Sequence, residues 1–207
     1  MDIVNIIQSQ LSDQLLDGLG QQVGLSNRSQ TKEATMTAVT ALLGALSKNA
    51  ASEQGLNALS GALDKDHDGS ILDDLTGLLL NQGQASQQQS RMLNGAGILK
   101  HVLGSKQSGI VDIISQVGGM DKNGSLQLLM KVAPMVMGVL GKQKKEQSMS
   151  NNGLGDLLRA ASQQSRQQTK QSNLLTQILD QDGDGSIADE ATSFGLKFLG
   201  NLFKKRR

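Results

Sequence analysis

The sequence predicts an all-α fold, a duplicated helical bundle in which each half ends in an EF-hand-like acidic loop. Three observations carry this expectation. Apolar residues recur at helical spacing in Met36, Val39, Leu42, Leu43 and Leu46, and again in Leu128, Leu129, Val132, Met135 and Val136. The apolar–polar alternation of a half-buried strand never persists beyond a few residues. Shifting the chain by 94 positions lays Gln116-Val117-Gly118 on Gln22-Val23-Gly24, Ser125 on Thr31, and Gly138-Val139-Leu140-Gly141-Lys142 on Gly44-Ala45-Leu46-Ser47-Lys48. A fixed offset of this kind marks duplicated supersecondary units.

The pattern sets a first helical repeat over residues 1–81, a Gln/Ser-rich linker over 82–94, and a second repeat over 95–207. Each repeat reads as a short apolar helix, a Gly-containing turn, a long helix, a helix opening with Gly-Leu (Gly55-Leu56, Gly153-Leu154), and an acidic loop that starts a last helix. Thr31 and Ser125 are the expected N-caps of the long helices, since each hydroxyl precedes apolar positions at helical spacing. Pro134 removes a backbone donor and should kink the second long helix, whereas Thr40 occupies the matching place in the first. The Gln- and Ser-rich stretches 81–90 and 160–172 have little to bury and read as linker or solvated helix.

Composition limits the chemistry. The chain has no Cys, which excludes disulfides, thiolate metal sites and thiol catalysis and leaves metals only oxygen donors or the two histidines. A net charge of +1, from 20 basic and 19 acidic residues, gives no overall field toward nucleic acid or membrane. The aromatic residues are Phe194, Phe198 and Phe203, so no interleaved aromatics offer a stacking surface for bases or sugars. His67 and His101 have no evident catalytic partner, and neither an enzyme nor a small-molecule substrate is expected. The first residues lack the basic region of a secretory signal, and the longest apolar run, Val132 to Leu140, is about nine residues against the roughly twenty that span a bilayer. A soluble, cytoplasmic protein is expected.

The acidic loops carry the functional signal. They are Asp64-Lys65-Asp66-His67-Asp68-Gly69-Ser70-Ile71-Leu72-Asp73-Asp74-Leu75 and Asp180-Gln181-Asp182-Gly183-Asp184-Gly185-Ser186-Ile187-Ala188-Asp189-Glu190-Ala191. In such a loop, carboxylates at positions 1, 3 and 5 converge, glycine at 6 makes the sharp turn, and the carbonyl of residue 7, here Ser70 or Ser186, adds another oxygen. Three carboxylates held together repel one another unless a cation sits among them. Oxygen-only ligands on a flexible loop favour Ca²⁺, with Mg²⁺ the runner-up because it demands stricter geometry. Position 12, normally a bidentate Glu, is Leu75 or Ala191, so the closing ligand falls to Asp73 or Asp74 and to Asp189 or Glu190. Without metal, the same acidic pairs favour the positive N-terminus of the next helix, and the loops read as Asp/Gly turns capped by Ser70 or Ser186. His67, at position 4, is expected to point outward, and Asp121 to Ser125 reads as a turn leading to a cap.

The stretch Leu128-Leu129-Met130-Lys131-Val132-Ala133-Pro134-Met135-Val136-Met137-Gly138-Val139-Leu140-Gly141-Lys142 is followed by Gly153-Leu154 and by Asp182-Gly183-Asp184-Gly185-Ser186-Ile187. Together these resemble the bacterial domain of unknown function 937 family, with its YidB-like relatives. The resemblance implies a small helical bacterial protein with acidic loops and no established activity. The first half departs from the pattern in lacking the Ala-Pro pair.

The function expected from these readings is a non-enzymatic calcium-binding protein with a structural, scaffold or interaction role, associating with a protein partner or with itself through Met- and Gly-rich helix faces. The alternative is calcium-independent binding to a membrane surface or nucleic acid. That would use the amphipathic stretch Phe194 to Arg207 and its basic end, Lys204 to Arg207. The same stretch also reads as a closing core helix whose cations favour its negative end.

Overall fold

The computed structural model describes residues 2–70, 72 and 93–180, and the description below is of those residues. They form an all-α protein with no strand. The helices are α1 Ile3–Gln10, α2 Asp13–Gln22, α3 Arg28–Asn49, α4 Glu53–Asp66, α5 Gly95–Val102, α6 Gln107–Gly118, α7 Lys122–Glu146, α8 Asn151–Gln168 and α9 Ser172–Asp180. Each half thus sets two short helices before its long one, where the sequence suggested a single short helix, and the second half adds α9.

Capping residues set the helix starts. Asn27 caps α3, its Oδ1 accepting from the amides of Ser29 (2.9 Å) and Gln30 (3.3 Å), and Asp121 caps α7 by accepting from the Gly124 amide at 2.6 Å. The expected caps Thr31 and Ser125 lie one turn further in. Their hydroxyls donate back to the carbonyls of Asn27 (3.1 Å) and Asp121 (2.9 Å). Asn and Asp outrank Thr and match Ser as N-caps, and each stands where the chain is still extended, which a cap requires. Ser52 and Ser150 open α4 and α8 in the same manner, through the amides of Gly55 and Gly153.

The two long helices form the centre. On α3 the run from Ala34 to Leu46 is buried on nearly every side, as expected of a helix surrounded by others rather than lying on a surface. Its residues are mostly small, so neighbours approach closely. Its buried threonines are satisfied locally, Thr35 Oγ1 donating to the Thr31 carbonyl at 2.7 Å and Thr37 Oγ1 to Glu33 at 2.8 Å. On α7, Val132, Met135, Val136, Met137, Val139 and Leu140 are all core residues. By length and composition this is the one described helix apolar enough to cross a membrane, but 83% of that window is buried within the fold.

α7 continues through Pro134. Proline has no amide hydrogen to give the carbonyl four residues back, that of Met130. Gly95, at the start of α5, packs on that same carbonyl so tightly that a methyl added to it would stand 1.9 Å from the Met130 oxygen.

The halves do not pack as separate bodies. One hydrophobic core draws residues from every α-helix. The fourth helix of each half lies on the long helix of the other, α4 against α7, and α8 with α9 against α3. The α3–α8 contact is the most extensive of all, which corrects the reading of 160–172 as linker or solvated helix. Ala161, Ser162, Ser165 and Thr169 are buried there, and Thr40 Oγ1 shares a hydrogen bond with Thr169 Oγ1 at 2.7 Å. Small side chains let the two helices close together, a pattern that a search for large apolar residues passes over.

Candidate functional site

The first acidic loop is built where α4 ends against the last turns of α7. Helix α4 runs to Asp66, so Asp64 and Asp66 are helical and the turn starts at His67. Residues two apart on a helix point to different sides. This is why Asp64 and Asp66 do not converge as loop positions 1 and 3 should. The glycine at position 6 behaves as expected: Gly69 has φ +95°, a left-handed turn open to glycine at little cost. Beyond it, Asp68 Oδ1 accepts from the Ser70 amide at 3.1 Å and the Leu72 amide donates to the Gly69 carbonyl at 3.0 Å.

The loop is pressed onto α7 by two glycines. A methyl on Gly141 would stand 1.6 Å from the His67 carbonyl oxygen, and one on Gly69 would stand 2.5 Å from the Lys142 Cβ. This approach buries His67, which is 5% exposed rather than pointing outward. Among the described residues its Nδ1 has no hydrogen-bond partner. Burial pushes its pKa below the usual histidine range, with the neighbouring Asp66 charge opposing.

Two lysines of α7 meet the loop's carboxylates. Lys144 Nζ, on a side chain only 10% exposed, pairs with Asp64 and also donates to the Ser60 carbonyl at 3.4 Å. Lys145 Nζ lies 3.3 Å from Asp68 Oδ2. The Ser70 hydroxyl and amide, and then Lys145, hold the Asp68 carboxyl below its ordinary range. Protein cations therefore supply part of the positive charge that the sequence assigned to a metal. Among the described residues no three acidic or imidazole side chains are placed to hold a metal ion.

The remaining expected ligands divide plainly. Asp73 and Asp74 lie outside the described residues, as do Asp182, Asp184, Ser186, Asp189 and Glu190 of the second loop and the basic stretch Phe194 to Arg207. Asp180 is the last residue of α9, whose end is held by Lys48 Nζ and Lys106 Nζ, both donating to the Leu179 carbonyl at 2.7 and 2.6 Å. Each loop thus starts at the end of a helix that packs on the other half's long helix. The partners missed from sequence are Lys144, Lys145 and Gly141. Their signal was the run Gly141-Lys142-Gln143-Lys144-Lys145, a basic helix end opposite in sign to the acidic loops.

Behind the loop a cleft of about 980 Å³ opens between the ends of α3, α4 and α5, and both histidines line it. Asn49 Nδ2 braces the cleft by donating to the Val102 carbonyl at 3.1 Å.

Fold and site together define an all-helical protein with one interleaved core and an acidic loop partly neutralised from the facing helix. The chain belongs to the bacterial protein family of unknown function DUF937, whose pattern matches residues 5–143, from α1 into the last turns of α7. That range contains the first acidic loop and both glycines at its contact; Gly153-Leu154 and the second loop lie beyond it. No curated protein and no solved structure matches the chain.

Proposed function

We propose that the protein is a non-enzymatic helical interaction protein, a duplicated two-unit chain whose acidic loops take a divalent cation, calcium ahead of magnesium. The observation that carries this reading is the placement of Lys144 and Lys145 on Asp64 and Asp68. The carboxylates at loop positions 1 and 5 stand where positive charge is required, and the lysines supply it until a metal competes. Calcium would take Asp64, Asp66, Asp68 and the Ser70 carbonyl, closed by Asp73 or Asp74. The second loop would use Asp180, Asp182, Asp184 and the Ser186 carbonyl, closed by Asp189 or Glu190. For Asp64 and Asp66 to converge, the last turn of α4 must unwind, releasing both lysines. Calcium uptake would then loosen α4 from α7 and expose a surface to a protein partner or a second copy. A cytoplasmic, water-exposed setting fits the burial of α7's apolar window within the fold.

Calorimetric titration of the full chain with calcium, paired with far-ultraviolet circular dichroism, tests the reading. Uptake should be weak, in the millimolar range, and accompanied by a small loss of helix. Replacing both competing lysines, Lys144→Met with Lys145→Met, should tighten it. Absence of calcium uptake in both proteins at millimolar concentration would sink the proposal.

A further inference from the structure

We propose a second ligand site at the C-terminal end of α3, a small basic pocket that binds a phosphate monoester. The pocket, about 290 Å³, lies where α3 meets α8. Its floor is made of small residues, among them Gly44, Ser47 and Gly155, and its rim carries Lys48, Arg159 and Arg166.

The three cations are disposed to receive an anion. Arg166 is half-buried, and its guanidinium makes no hydrogen bond or ion pair with any described residue. It lies beside the α3 backbone, its Nη2 only 3.8 Å from where a methyl on Gly44 would stand. Arg159 uses Nη1 to hold Asp156 at 3.0 Å, leaving its other nitrogens free. Lys48 is fixed by its bond to the Leu179 carbonyl, which uses one of its three hydrogens. Among the described residues Asp156 is the one carboxylate engaging these groups, which leaves two of the three positive charges uncompensated there.

Charge and size choose the ligand class. A phosphate monoester carries about −1.5 to −2 charge near neutral pH, which matches the excess, whereas a single carboxylate leaves half of it uncompensated. Guanidinium groups receive phosphate oxygens through paired N–H donors, and Lys48 adds a point charge. The volume falls just below the roughly 300–1,000 Å³ usual for ligand pockets. It suits a phosphate head with a small organic group, not a whole nucleotide. Such a head could come from a soluble metabolite or from a lipid.

The experiment is calorimetric titration of the full chain with glycerol phosphate, alongside sedimentation with phosphatidylcholine vesicles with and without phosphatidic acid. Saturable uptake of glycerol phosphate supports a soluble source, and uptake confined to phosphatidic acid vesicles supports a headgroup. In either case Arg166→Gln and Arg159→Gln should each weaken binding at least tenfold, while Lys122→Gln, which removes a distant cation paired with Asp112, should not. The Arg159 side chain is 67% exposed, so that variant keeps its fold and guards against a misfolded Arg166→Gln. No binding to either probe, or arginine variants that bind as wild type does, would overturn the proposal.

Discussion

Replacing Gly141 with alanine tests the account of the acidic loop most directly. Within a free helix the change would stabilise, because alanine is favoured over glycine by about 1 kcal/mol. Here the new methyl would stand 1.6 Å from the His67 carbonyl oxygen, so α4 and the loop must withdraw by more than an ångström before the contact is tolerable. Overpacking of this kind costs about 1–3 kcal/mol. Partial exposure of Leu63, which is 1% exposed at the contact, adds up to about 2 kcal/mol. The two ion pairs add little, since Asp64 and Lys145 are largely solvent-exposed and Asp68 is only half-buried. The net expectation is a loss on the order of 2–3 kcal/mol, which lowers a urea midpoint by about 1 M. Circular dichroism is the assay, because the chain has no Trp or Tyr for fluorescence. Gly61 is the control: it lies in α4 and a methyl there would meet nothing within 4 Å, so Gly61→Ala should hold or raise stability. If Gly141→Ala proves as stable as Gly61→Ala, the loop is not pressed on α7 as described.

Two further expectations concern the same region. Folding disfavours protonation of His67, so below its unfolded pKa of about 6.5 the unfolded chain binds more protons than the folded one. Stability should therefore fall as pH drops through that value, and His67→Gln should flatten the slope in urea titrations between about pH 7 and 5; an unchanged slope would assign it to other groups. A double-mutant cycle with Asp64→Asn and Lys144→Met should give a coupling of about 0.2–1 kcal/mol, small because Asp64 is mostly exposed. A coupling of zero would show that Lys144 is held by Ser60 and packing alone.

Much of the fold is legible in the residues themselves. The 3.6-residue periodicity around Leu42 and Leu128 locates the long helices, and the offset of 94 pairs their capping turns even though the caps prove to be Asn27 and Asp121. The buried Gln- and Ser-rich helix was missed because its contact with α3 is made by Ala161, Ser162 and Ser165, whose fit depends on backbone approach and leaves no apolar stripe. The loop's turn at Gly69 was readable because positive φ favours glycine. The burial of His67 was not, because it depends on a glycine 74 positions away in another helix.

Taken alone, the sequence determined the all-α class, the two long helices and the sign of the charge on each loop, all properties of residue type and local spacing. The tertiary structure decided that α4 and α8 exchange long helices and that lysines of α7 meet the carboxylates of the first loop. Which surfaces pack and which charges meet depends on how closely backbones approach, and Gly44, Gly95 and Gly141 set that approach without leaving any periodic mark.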